Sequence, residues 1–128
     1  MSQIISSTEN LRTVHIVHKT DEYVYNKLCY YIQEKLVCKA VYDDTWNFIS
    51  YYYLDNSYIE ECIKNKEEIL FHYIYSNPDK DRYITPISIN DNILLALENG
   101  KYKKFKLDGV LIRSEFEDKY DLYKSKYN

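Results

Sequence analysis

One stretch limits the folds open to this chain more than any other: Trp46-Asn47-Phe48-Ile49-Ser50-Tyr51-Tyr52-Tyr53-Leu54, its densest aromatic run and the home of its only tryptophan. Read at a period of two, it puts Trp46, Phe48, Ser50, Tyr52 and Leu54 on one face and Asn47, Ile49, Tyr51 and Tyr53 on the other. Both faces are apolar or aromatic. A strand of that kind needs cover on both sides, which predicts a central strand. The alternative is one tyrosine face left open for a partner, since Tyr and Trp join a large contact area to a polar handle.

Around this run the chain alternates strand-like and helix-like periods. Residues 1–10 are small and polar and are expected to form a flexible arm. Arg12 to His18 reads as a short strand. Thr20 and Asp21 then offer N-cap oxygens, and Val24, Leu28, Tyr31, Ile32 and Leu36 recur at three- and four-residue steps, which predicts a helix over about 21–36. Val37 to Tyr42, the polar Asp43-Asp44-Thr45 and the aromatic run make a hairpin over 37–54.

Asp55-Asn56-Ser57 starts a further short helix. Ile69 to Tyr75 alternates as a strand, though one helix over 57–75 also keeps register. Ser76-Asn77-Pro78-Asp79 is a turn, and Tyr83 to Ile89 a strand whose Pro86 belongs at an edge or bulge. Residues 92–98 suit either a helix closed by Gly100 or a strand. Asp108-Gly109 predicts a tight hairpin between 102–107 and 110–113. Ser114-Glu115-Phe116-Glu117 is a capping box, with Phe116, Tyr120, Tyr123 and Tyr127 on one face behind it.

The expectation is therefore an α/β or α+β fold over residues 11–128, a single globular domain. It would hold a single mixed sheet with an N-terminal β-α-β unit of right-handed crossover, a central aromatic hairpin, a C-terminal hairpin and a C-terminal helix.

Both glycines stand in turn dipeptides, Asn99-Gly100 and Asp108-Gly109, so no glycine-rich loop cradles a phosphate at a strand-to-helix turn. The net charge of -3 argues against general electrostatic binding of nucleic acid. Cys29, Cys38 and Cys62 are odd in number and widely spaced, which points to neither a disulfide framework nor a zinc site. No metal or cofactor is expected. His15 and His18 fall on opposite faces of a strand, and Asp43 and Asp44 read first as turn formers. Lys101, Lys103, Lys104 and Lys106 surround Tyr102 and Phe105, a pattern found where single strands are tracked and stacked, and equally in solvated edge strands.

His18-Lys19-Thr20-Asp21-Glu22, followed by the predicted helix and Ala40-Val41-Tyr42-Asp43-Asp44, resembles the opening of a TIR-type domain. Ser57 to Asn65, leading to Ile69 through Ser76, is similar to that fold's next helix and strand, so the resemblance covers residues 12–76. It implies a nucleotide-binding or NAD-processing enzyme with His18 and Asp21 near the pocket. No catalytic residue is carried over. NAD-cleaving members place a glutamate in the helix after the third strand, whereas Pro78, Asp79, Lys80 and Asp81 stand here. A ferredoxin-like order fits the same elements.

The reading favours a small acidic protein that is not an enzyme: a protein-interaction or inhibitor protein, intracellular and cytoplasmic in its own or a host cell. Abundant Tyr, Ile, Lys and Asn match the coding bias of an AT-rich genome and fit a virus or mobile element and a host-modulating role. Its contact residues would be Tyr51, Tyr53, Tyr120 and Tyr123, toward another protein or a second copy in a homodimer. No span is long and apolar enough for a membrane. Nucleic-acid binding through Lys101, Tyr102, Lys104 and Lys106 is a further alternative.

Overall fold

A computed structural model describes residues 2–7, 11–77 and 79–117. Of these, 2–53 and 114–117 belong to one compact unit and 54–113 to a second. Among the described residues there are ten strands and one α-helix, so the expected α/β or α+β class gives way to antiparallel β structure.

The first unit is an up-and-down meander of β1 (Ser2–Ser7), β2 (Leu11–Lys19), β3 (Val24–Ile32), β4 (Lys35–Tyr42) and β5 (Phe48–Tyr53), each antiparallel to its predecessor. β1 lies in the stretch expected to be an arm, with Gln3 opposite His15. The helix expected over 21–36 is absent, and the residues that suggested it explain why. Thr20 Oγ1 accepts from the backbone N–H groups of Glu22 (3.3 Å) and Tyr23 (3.1 Å), which are the bonds an N-cap makes. Here Thr20 N also donates to Tyr23 O at 2.8 Å, so the chain reverses instead of winding on.

Val24, Asn26, Leu28, Tyr30 and Ile32 then fall on one side of β3, and Tyr25, Lys27, Cys29 and Tyr31 on the other. Because both sides carry apolar residues, a helical spacing can be picked out of a strand. With β2, β3 and β4 adjacent and antiparallel, the β-α-β unit on which the TIR-like and ferredoxin-like orders depend does not form.

The second unit opens with α1 (Asn56–Asn65). Asp55 caps it through Oδ1, which accepts from Tyr58 N at 3.1 Å, and Lys66 ends it in the left-handed region at φ 57°, with Glu67 N reaching Cys62 O at 2.9 Å. Its buried residues Ile59 and Cys62 mark the packed side, and the helix lies against β7. The strands follow as β6 (Ile69–Tyr73), β7 (Arg82–Asn90), β8 (Ile93–Glu98), β9 (Lys101–Lys106) and β10 (Val110–Ser114), in the spatial order β10-β6-β7-β8-β9. Residues 93–98 are thus a strand. Leu94, Ala96 and Glu98 point to the buried side.

The expected C-terminal hairpin is also replaced. β9 pairs with β8 across Asn99-Gly100, and a 3-10 turn at Leu107–Gly109 carries the chain back to β6, where Val110 faces Tyr73 and Leu111 faces His72. Asn99 and Gly100 have φ of 53° and 78°, the left-handed pair that a two-residue hairpin demands. Gly109 serves another need: a Cβ there would lie 2.5 Å from the Tyr75 ring. Its small size, not a hairpin, is why Asp108-Gly109 stands at this point.

Beneath β7, β8 and β9 sits an ion cluster. Arg82 grips Glu98 bidentately, Nε to Oε2 at 2.9 Å and Nη2 to Oε1 at 2.7 Å, and Lys103 Nζ adds a third bond at 2.7 Å. The guanidinium also lies 5.0 Å from the Phe105 centroid and 5.8 Å from that of Phe71. Hydrogen bonds from Arg82 hold the Glu98 carboxyl down at about 2, against the opposing effect of burial. Nearby, Asp81 bonds His72 Nε2 at 2.5 Å and Arg113 Nη1, fastening the 74–81 loop to β6 and β10. Cys29, Cys38 and Cys62 are buried thiols. The predicted C-terminal helix lies, beyond Glu117, outside the described residues. Among the described residues no helix is long and apolar enough to cross a membrane.

Candidate functional site

The turn between β4 and β5 is built on Asp43. Its Oδ1 accepts from Thr45 N at 2.9 Å, Thr45 Oγ1 at 3.0 Å and Asn47 N at 2.8 Å, while Oδ2 accepts from Asn47 Nδ2 at 3.1 Å. The backbone closes the same loop, with Asp43 N donating to Asn47 O at 2.9 Å and Trp46 N to Asp43 O at 3.1 Å. These bonds favour the carboxylate form. The Asn47 backbone N–H is the largest influence holding the Asp43 carboxyl below its ordinary range, and the Asn47 and Thr45 side chains add to it against desolvation.

So fastened, the turn forces Trp46 to φ 66°, a left-handed conformation that bulky side chains rarely take. The indole is 47% exposed. Its ring centroid lies 5.1 Å from His15 on β2 and 5.5 Å from Tyr42 on β4, and Tyr42 meets Phe48 edge-on at 5.8 Å. Two polar contacts steady the supporting rings. Buried Asn26 donates from Nδ2 to Asp43 O at 2.9 Å, which turns its Oδ1 toward His15 Nε2, also at 2.9 Å. His15 therefore donates from Nε2. Tyr42 O–H donates to Glu117 Oε1 at 3.3 Å. The result is an exposed indole on a platform of His15, Tyr42 and Phe48, oriented by a turn that leaves it little freedom.

The residues singled out from sequence fall elsewhere. Tyr51 is 0% exposed, its ring stacked on half-buried Tyr53 at 5.0 Å and 4° between planes. Both faces of β5 are covered at its centre, by Tyr51 on one side and Ser50 and Tyr52 on the other, so the face offered as open to a partner is closed. Trp46, expected on a covered strand, precedes β5 and stands in solvent. Tyr120 and Tyr123 lie outside the described residues. His18 is exposed opposite Tyr25 near the end of β2, and Asp21 is exposed in the loop that follows, with no helix after them to build a pocket. Lys101, Tyr102, Lys104 and Lys106 are all exposed on β9, the edge strand of the second unit. Among the described residues no group of three or more His, Cys, Asp or Glu is placed to hold a metal ion.

Sequence reasoning missed His15, Asn26 and Tyr42 because strand register alone brings them beside Trp46. The Asp43-x-Thr45-x-Asn47 spacing was the available signal: three short polar side chains bonding across one turn, with the tryptophan inside it. Comparison with known protein families, with curated proteins and with solved structures gave no significant match.

Proposed function

We propose that this small acidic protein is a non-enzymatic protein-interaction module and that the Trp46 turn is its contact point. The observation that carries the proposal is an exposed indole held at φ 66° by hydrogen bonds converging on Asp43. Backbone strain of this kind persists only where the surroundings enforce it, and it gathers at functional positions. Tryptophan is among the residues most enriched at the energetic centres of interfaces, and a pre-oriented one loses little freedom on binding. Its neighbours suit that role. Half-buried His15 widens the contact surface, buried Tyr42 backs the indole from beneath, and the polar turn supplies a rim.

The test uses the full chain immobilised against extract of its natural host, beside Trp46→Ala. A partner should be retained by the wild-type chain and held about 30-fold more weakly by the variant, the loss expected of one central anchor. Trp46 is the only tryptophan, so its emission in the complex should shift to the blue and resist quenching. A partner bound equally by both chains, or emission unchanged on binding, overturns the assignment. If the chain sediments as a dimer that Trp46→Ala dissociates, the partner is a second copy.

A further inference from the structure

The second unit carries a recess of about 550 Å³ on the face of β7, β8 and β9 opposite the ion cluster. Strand register builds its floor as successive rungs. Asn90, Ile93 and Lys106 form one, and Ser88, Leu95 and Lys104 the next. Each rung runs from a neutral hydrogen-bonding side chain through an aliphatic one to an ammonium. A third rung of Thr85, Leu97 and Tyr102 continues the face past the recess, and Tyr102 is 71% exposed there.

Tyr73 adds an aromatic edge, Phe105 borders the recess while its ring turns to the ion-cluster side beside Arg82, and Asp91 stands at the rim in the β7–β8 turn. Tyr73 is locked in place, its hydroxyl oxygen accepting from Lys106 N at 2.9 Å. The register also sorts the lysines. Lys103 turns to the other face and bonds Glu98, whereas Lys104 and Lys106 line the recess. The Lys106 ammonium lies 5.0 Å from the Tyr75 ring centroid, which positions the charge without neutralising it.

This volume falls within the range of small-molecule sites, and the lining has their usual make-up of apolar walls with a few placed polar groups. The order of chemistry across the rungs narrows the ligand. Ammonium groups on one side suit a phosphate, the aliphatic Ile93 and Leu95 in the middle suit the face of a flat ring, and Ser88, Asn90 and Asp91 on the other side suit hydroxyl and amino groups. We propose that the recess binds a nucleoside monophosphate unit, with its phosphate on Lys104 and Lys106 and its ring over Ile93 and Leu95. The unit could be a free nucleotide or one residue of a single strand. In a strand, Tyr102 would stack the next base. The chain's net charge of -3 gives no long-range attraction for polyanions, so recognition rests on the recess itself.

The test titrates the full chain with the four 5′-nucleoside monophosphates and with a ten-nucleotide single strand, observing Lys104 and Lys106 by NMR. Inorganic phosphate, unphosphorylated nucleosides and poly-glutamate serve as comparisons. Binding of a monophosphate or of the strand, in preference to all three comparisons, supports the proposal. Lys104→Gln and Lys106→Gln should each weaken it about tenfold, and Leu95→Trp, which fills the recess at constant charge, should abolish it. Lys64→Gln, at an exposed position of α1, should leave it unchanged.

The sources separate by salt. A strand engaging both lysines gives a log-log slope of about -1.4 and is weakened by Tyr102→Ala, whereas a free nucleotide is indifferent to Tyr102. No binding, equal binding of inorganic phosphate or poly-glutamate, or full binding by Leu95→Trp in chains that retain the wild-type denaturation midpoint overturns it.

Discussion

The two units close their hairpins with opposite chemistry. In the second, the left-handed positions fall on Asp91-Asn92 and Asn99-Gly100, residue types that accept φ above zero. In the first they fall on Gln33-Glu34 and on Trp46, which do not. The second unit also anchors β7 to β8 and β9 from beneath through Arg82, Glu98 and Lys103, whereas the Trp46 turn relies on hydrogen bonds around an exposed Asp43 carboxylate. Favourable turns and a buried ion cluster make a firm support for a recess. Strained turns held by local bonds make a display for one side chain.

Breaking the support should have the largest effect. Arg82→Met leaves Glu98 with Lys103 alone and should destabilise the chain by about 3 kcal/mol, as removal of one partner from a buried ion pair does. Denaturant titration measures it, and a loss below about 1 kcal/mol would mean that the cluster is ornament to the packing. Acid should reach the same cluster without mutation. Glu98 titrates near 2 in the folded chain against an ordinary 4.5, so its contribution is complete above pH 4.5 and is lost as pH falls from there toward 2. In Glu98→Gln that segment of the pH-stability curve should flatten.

The contrast in turns also decides what could be read from the sequence. Asn99-Gly100 is visible as a turn dipeptide that fits either a helix cap or a hairpin, and β4 with β5 is visible as a hairpin because Asp43-Asp44-Thr45 marks its turn. Gln33-Glu34 carries no turn signal at all. With it hidden, the apolar residues of β3 and β4 merged into one helical pattern, and Thr20, whose bonds are those of an N-cap, gave that pattern a false start. Tyr51 and Trp46 were exchanged for a related reason. Period-two reasoning assigns faces within a strand but neither locates its first residue nor says which face is buried, and β5 starts at Phe48.

If the hidden turn is strained, relieving it should help. Replacing Gln33-Glu34 by Asn-Gly should stabilise the chain by about 1 kcal/mol, because those residues accept the φ of 51° and 64° at little cost. The gain is net of the exposed Arg12–Glu34 pair, which contributes little. The same substitution at Asp91-Asn92 should gain less, since Asp and Asn already tolerate the conformation. Equal gains at the two turns would erase the distinction between the units.

At Trp46 the strain can be separated from the ring. Trp46→Ala and Trp46→Gly both lose the contacts to His15 and Tyr42, but only alanine keeps a Cβ at φ 66°. The glycine chain should therefore be the more stable of the two by about 1 kcal/mol, although glycine is ordinarily the worse residue for folding. The reverse order in denaturant titrations would mean that the turn imposes no left-handed conformation.

The smallest effect belongs to Asp43. Its carboxyl is held below the ordinary range, so the bonds it accepts are intact above that range and are lost as pH falls through the depressed value. Because the group is exposed, the change in global stability should be slight, and the sensitive reading is the emission of Trp46 three residues on. Acidification should redden and broaden that emission as the indole loses its fixed place beside His15 and Tyr42. Asp43→Asn keeps one oxygen for the backbone N–H groups of Thr45 and Asn47 but turns an amide toward Asn47 Nδ2, where Oδ2 accepted. It should show part of the acid-form spectrum at neutral pH and no transition on acidification below the ordinary carboxylate range. A transition that persists in Asp43→Asn would place the titrating group elsewhere and remove the carboxylate from the account of how the indole is held.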